Sequence, residues 1–453
     1  MESECILTPA EIDFYAASIQ PSDFETIGTS SWFEAHERLQ RLYQQATLEA
    51  SKNIEEHVKE AIISNLKLQI LVYEAVLISV WKQRILPRIL KQNPNTENTF
   101  PIYIILYHEA AVIGLLQTVL YHSEGCEYLQ DSAVELVDYC ILALTRIAIS
   151  SRDAKELKED KLNTSTLEEL RAQEETLLFG IGASCLGIIR YLVENLECVP
   201  VTVATRLYSD NDVPLLVCQL IDQESWTRRN AKGDTYKYTD GEWKRITDVQ
   251  EMTKTEAQLW LAMHQLLLNK HIIHHYELTE SRKNRLGRLN RFLHELLLDQ
   301  LPPLIDLKRW LSQLAVAQVP TMSSKKPFIV ELSTEFRSGV ETSCAGRWDE
   351  IAEEHARRLL QLSQAETVKL ANSLSNAFES LADVCDAGPK CANCGDRATQ
   401  KCSRCKNEWY CGRPCQVKQW KIIKNIAILL VVSKNEKVHR EQSDRSRQMI
   451  LDY

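Results

Sequence analysis

Six cysteines crowd into residues 391–415 of this 453-residue chain, and they constrain it more than any other feature. They read Cys391-x2-Cys394-x7-Cys402-x2-Cys405-x5-Cys411-x3-Cys415. A thiol pair on a tight turn offers two sulfurs to one ion, and successive pairs are what tetrahedral zinc uses, with Zn–S bonds of about 2.3 Å. The other eight of the 14 cysteines are scattered singly between Cys5 and Cys385. Met1–Pro9 is short, acidic and without the apolar core of a secretory signal, so a disulfide framework competes poorly for the cluster. The scattered thiols read as small buried apolar side chains in a reducing, cytoplasmic setting.

Upstream of the cluster, from about Trp32 to Gln318, apolar residues recur at helical spacing with little period-two alternation. Leu66–Leu90 is apolar almost all round, as a helix buried between neighbours is, and Pro87 should end or kink it. Ser132 with Glu135, and Ser165 with Glu168, carry the spacing of reciprocal N-terminal caps. Glu256–Lys270, Ser281–Leu298 and Leu304–Ala317 continue the series across Pro302-Pro303, and a long amphipathic helix is predicted over Trp348–Val384 with Leu370, Leu374, Phe378 and Leu381 on its stripe. Asp386-Ala387-Gly388-Pro389 stops it. The fold class predicted is all-α, an armadillo- or HEAT-like stack of helices, although no repeat of that length is readable.

Three segments depart from the pattern. Trp226–Ile246, with Asp240-Gly241 between aromatic-rich flanks, reads as an inserted β-hairpin. Its aromatics with Arg228, Arg229, Lys232 and Lys237 are either a contact patch or a self-packed ribbon. The charged stretch Ser150–Asn163 is an exposed connection or a solvated helix face, and Pro327–Phe336 reads as extended. The domain lines that follow are a 1–31 N-terminal segment, a 32–386 helical body with the 226–246 insertion, a 391–427 finger and a 428–453 basic tail.

Charge is unevenly placed. Residues 391–453 hold 13 Lys/Arg against 6 Asp/Glu, an excess of +7, so the chain's net −9 leaves −16 on the residues before them. Such a body disfavours nucleic acid as a partner. No transmembrane span is expected; the nearest approach, Ile426–Val432, is far short of the roughly 20 residues that cross hydrocarbon.

The cysteine spacing, with Asn407-Glu408-Trp409-Tyr410-Cys411 and Cys415-Gln416-Val417-Lys418-Gln419-Trp420, resembles the MYND finger. That family binds two zinc ions through seven Cys and one His. The resemblance implies that Cys391, Cys394, Cys411 and Cys415 hold one ion and that Cys402 and Cys405 supply half of the second. A MYND finger closes with His-x3-Cys, and here Ile423 and Ala427 stand in those places, so one complete zinc site is expected and the second lacks its usual His and Cys. Codons can be chosen for Ile422–Ala427 so that an alternate frame reads His-Lys-Lys-His-Cys, which makes the residues after Lys421 a candidate gene-model or splice artefact. Sequencing the transcript across that junction tests it.

A zinc site filled by protein ligands is structural, with no open position for substrate. The finger then presents surface. Trp409 and Trp420, rimmed by Lys406, Arg413 and Lys418, are the candidate partner-binding residues, suited to a proline-containing or acidic peptide, while Tyr410 is assigned to the finger's own core. In the body, Asn98-Thr99-Phe100-Pro101-Ile102-Tyr103, His108-Glu109-Ala110 and Leu136-Val137-Asp138-Tyr139-Cys140 resemble the MYND-bearing family of axonemal dynein assembly factors. That resemblance implies a cytoplasmic, non-enzymatic adaptor for pre-assembling dynein arms of motile cilia or flagella, with centriolar or ciliary-base association. Its partners would be a leucine-rich-repeat dynein assembly factor, chaperones and dynein chains.

Two rivals have distinct signatures. An enzyme reading finds little: His108-Glu109 begins like the zinc-protease helix motif but lacks the second histidine, and His271, His274 and His275 read as a helix end before they read as a metal site. A lysine methyltransferase embeds its MYND finger in the catalytic domain, whereas this one is C-terminal to the body. The other rival is a MYND-containing transcriptional co-regulator that binds peptide motifs.

Overall fold

The computed structural model describes residues 6–52, 54–96, 98–153, 165–230, 232–239, 241–246, 251–270, 276–316, 334–363, 365–372, 398, 400–401 and 409–416. Helices α1 (Pro9–Ser18), α2 (Ser30–Lys52), α3 (His57–Ser64), α4 (Leu68–Arg84), α5 (Leu86–Gln92) and α6 (Phe100–Val119) open the body. They are followed by α7 (Ser123–Tyr128), α8 (Ser132–Asp153), α9 (Thr166–Glu194), α10 (Val201–Thr205) and α11 (Val213–Asp222). A small antiparallel sheet of β1 (Thr227–Arg229), β2 (Thr235–Thr239) and β3 (Glu242–Arg245) interrupts them. The body resumes with α12 (Lys254–Leu268), α13 (Glu280–Gly287), α14 (Glu295–Gln300), α15 (Leu304–Val316), α16 (Phe336–Ser343) and α17 (Trp348–Leu360).

The helices stack in two rows. One row runs α2, α6, α9, α12, α15 and the other α4, α8, α11, α13; the pairs α4/α6, α8/α9, α11/α12 and α13/α15 bridge them. A helix pair that touches mainly its neighbouring pairs is the stacking of an α-solenoid, as the armadillo- or HEAT-like expectation has it. α6 and the later part of α9, from Leu177 to Val193, sit at the centre and are apolar on nearly every face, so they bury best between other helices. Both are long and apolar enough to cross a membrane, which corrects the expectation that only the tail approaches such a segment. In this fold 83% and 67% of their apolar windows lie inside the body.

Local rules placed some boundaries and missed others. Pro87 lies in the first turn of α5, directly after α4 ends, where its missing N–H costs nothing. Ser165 Oγ accepts from Glu168 N at 3.3 Å and Glu168 accepts from Ser165 N at 3.0 Å, the reciprocal box expected for α9. Ser132 and Glu135 do not form one. Ser132 Oγ donates to the Leu129 carbonyl at 2.5 Å, and Glu135 Oε1 instead accepts from Phe336 N at 2.8 Å and from Glu335 N, capping α16 from across the fold. Phe336 therefore starts a helix; the extended expectation for Pro327–Phe336 fails at that end, and 327–333 lie outside the described residues.

Ser281–Leu298 is likewise three pieces: α13, a 3-10 turn Arg288–Arg291, and α14, capped by His294 Nδ1 accepting from Leu297 N at 3.3 Å. The helix predicted over Trp348–Val384 ends at Leu360, because Ser363 and Glu366 form a new capping box there. Leu374, Phe378 and Leu381 lie outside the described residues, as do residues 154–163 of the charged stretch, whose start continues α8 to Asp153.

α16 and α17 fold back onto the start of the body. α16 lies on α4 and α17 on α5. Arg337 donates to Ser79 Oγ and Gln83 Oε1, Arg358 donates to the carbonyls of Glu25 and Ile27, and Trp81 Nε1 donates to His355 Nδ1 at 2.9 Å. His355 is 1% exposed and stacks on Phe24. Burial lowers its pKa to about 4, aided by the Arg358 charge. The folded chain thus binds this proton less readily than the unfolded chain does, near pH 6.5. The resulting stability is complete above about pH 6.5 and is lost as pH falls toward 4. His355→Leu should flatten the acid side of the unfolding midpoint between those limits; a slope equal to the parent's would show that this histidine does not govern it.

Candidate metal centre

Residues 400–401 and 409–416 show how the finger presents its third thiol pair. Strands β4 (Gln400–Lys401) and β5 (Trp409–Tyr410) pair antiparallel, with Gln400 opposite Tyr410 and Lys401 opposite Trp409. Alternation along β5 turns Tyr410 inward, 1% exposed, and leaves Trp409 half-buried. Cys411 follows directly, Gly412-Arg413-Pro414 turns the chain, and a helical turn over 413–416 carries Cys415, with Gln416 N donating to the Gly412 carbonyl at 3.2 Å.

This turn brings the sulfurs of Cys411 and Cys415 to 3.5 Å. Two thiolates on one tetrahedral zinc, each bonded at about 2.3 Å, stand about 3.8 Å apart, whereas a disulfide requires about 2.05 Å. The pair is thus spaced as metal ligands and not as a cystine, and its donor chemistry fits zinc. Cys411 is exposed and Cys415 partly so. Cys391, Cys394, Cys402 and Cys405 lie outside the described residues, as do Lys406, Lys418 and Trp420. Among the described residues no group of three His, Cys, Asp or Glu side chains comes together as a metal site. Of the partner-binding candidates, Trp409 is half-buried and Arg413 is exposed beside the thiol pair.

Elsewhere the structure removes competitors. The contact-patch alternative for 226–246 fails, because the ribbon packs on the body: Trp226, Tyr238 and Trp243 gather around Phe179 of α9. Arg228 is buried, paired with Glu175 and set over Trp243, and Lys237 donates to Glu256 Oε2 at 3.1 Å. His108 and Glu109 are core residues of α6: His108 Nδ1 meets His36 Nδ1 at 3.0 Å, and Glu109 pairs with Lys82. His271, His274 and His275 lie outside the described residues.

A C-terminal cysteine finger on a stacked helical body defines a class, the MYND zinc-finger proteins, and the family model of the MYND finger matches residues 391–425. The likeness does not stop at the finger. The Drosophila melanogaster protein "Zinc finger MYND domain-containing protein 10 homolog" is 35% identical over 440 residues, covering 91% of this chain and 96% of that one. The chain belongs to the zinc finger MYND domain-containing protein 10 family. No solved structure matches it.

Proposed function

We propose that the chain is a cytoplasmic adaptor that helps pre-assemble axonemal dynein arms, with the finger docking a leucine-rich-repeat assembly factor and the body serving chaperones or dynein chains. The observation that carries this reading is that the family likeness covers body and finger together. The body motifs quoted above support it: Phe100–Tyr103 and His108-Glu109 fall on α6, and Leu136–Cys140 falls on α8. In this reading Cys391, Cys394, Cys411 and Cys415 close one zinc site, Cys402 and Cys405 remain a half-site, and Trp409, Trp420, Lys406, Arg413 and Lys418 form the docking face. Zinc there supplies a cross-link that folds the finger, and the side chains around it supply the recognition.

The test is affinity purification from ciliated cells with the native chain and Cys394→Ala. Loss of the assembly-factor partner with retention of body-bound partners is the expected result. Equal recovery of every partner would show that the finger is dispensable, and intact dynein arms in a deletion strain would sink the assembly role. Methyl transfer from S-adenosylmethionine by the purified chain would install the methyltransferase reading instead.

A further inference from the structure

Between Glu280 and Glu295 the chain has five cations, Arg282, Lys283, Arg285, Arg288 and Arg291, and not one acidic residue. Four of them are arginines at a constant spacing of three. The local fold turns that spacing into a stripe. α13 carries Arg282 and Arg285 on one side, and the 3-10 turn Arg288–Arg291 follows without a break, a geometry in which residues three apart eclipse.

Between the arginines, Leu286 and Leu289 are fully buried, and Cys218 of α11 donates its thiol to the Arg285 carbonyl at 3.5 Å. The backbone under the stripe is therefore pinned to the body. The two outer arginines are partly engaged: Arg282 pairs with Asp212 at 2.7 Å and Arg291 with Asp222 at 3.2 Å, the latter still 58% exposed. Arg285 and Arg288 are exposed and have no ion-pair partner among the described residues. Cys218 and Asp222 of α11 both meet this segment, the thiol on the Arg285 carbonyl and the carboxylate on Arg291.

We infer that the Arg285–Arg288–Arg291 stripe is a second docking surface, on the body and independent of the finger, for an acidic segment of a partner protein. Charge complementarity argues for that occupant. The residues before the finger carry −16, so a long polyanion would be repelled away from the stripe, whereas a short acidic peptide meets only the local field within a Debye length of about 8 Å. Successive arginines of the stripe rise about 6 Å, which matches carboxylates two residues apart, about 6.6 Å along one face of an extended strand. Exposed guanidinium forks take such carboxylates in pairs of hydrogen bonds.

The test uses the full-length, zinc-loaded chain and two fluorescent octapeptides, octaglutamate and octaglutamine, followed by anisotropy at 50 and 300 mM salt. Binding of octaglutamate only, weakened by salt, is expected. Arg285→Glu/Arg288→Glu should lower its affinity about tenfold or more, Arg285→Lys/Arg288→Lys, which keeps the charge and loses the forked pairing, should lower it by less than the reversal does, and Lys91→Glu, at an exposed cation of α5, should change it less than about threefold. Unchanged circular dichroism and melting would show that the reversal variant is folded. No octaglutamate binding, equal binding after the reversal, or an equal loss with Lys91→Glu would overturn the proposal. Tighter binding of single-stranded RNA or of phosphatidylserine vesicles than of octaglutamate would also overturn it.

Discussion

Lys82→Ala is expected to destabilise the body by about 3–5 kcal/mol, because it leaves a carboxylate buried without its counter-charge. Lys82 of α4 and Glu109 of α6 pair with side chains only 9% and 2% exposed, and Tyr139 of α8 donates to the other Glu109 oxygen at 2.9 Å. The network thus ties three helices of the two rows at their centre. A loss of that size is a large fraction of the roughly 5–15 kcal/mol that holds a typical domain. Denaturant titration followed by circular dichroism checks it. Lys82→Met/Glu109→Gln removes both charges at once and should recover most of the loss, since an apolar or neutral replacement of a buried pair is often close to neutral. If Lys82→Ala unfolds at the parent's midpoint, water reaches Glu109 and the pair is not a keystone.

The second large effect is confined to the other end of the chain. Cys411→Ala removes one of the two sulfurs that stand 3.5 Å apart, and with it the ion those sulfurs are spaced to hold. Structural zinc contributes on the order of 10–16 kcal/mol of apparent binding free energy to small fingers, so the finger should unfold locally and become open to protease. The body should melt as the parent does. Tyr410 and Ala398 are buried, yet neither belongs to the contiguous core that runs from Leu7 to Leu359. Coincident loss of body and finger in this variant would show that the two fold as one unit.

What could be read from the chain divides by distance. The thiol spacing, the capping box at Ser165 and the helix break at Pro87 are set by residues a few positions apart, and all of them are visible in sequence. The stop at Leu360 was visible too, in Ser363-x2-Glu366, but the apolar stripe running past it masks that signal. Glu135 shows the limit: its spacing from Ser132 is that of a box, yet its carboxylate serves α16, a helix 200 residues away that a local pattern does not see. The hairpin aromatics failed for a related reason, since alternation says which residues share a face and not whether that face meets α9 or solvent. The arginine stripe is legible as a spacing of three, but it gains meaning only once Leu286 and Leu289 are known to pin it.

Of the finger's six cysteines, the described residues include Cys411 and Cys415. The reading still reduces to one physical statement: thiolates from separate turns close around a metal and leave a surface for docking. Elemental analysis of the purified, fully reduced chain after dialysis against a weak chelator tests that statement most directly. One tightly held zinc per chain, lost in Cys411→Ala, is the predicted result; a chain that retains no zinc would contradict it.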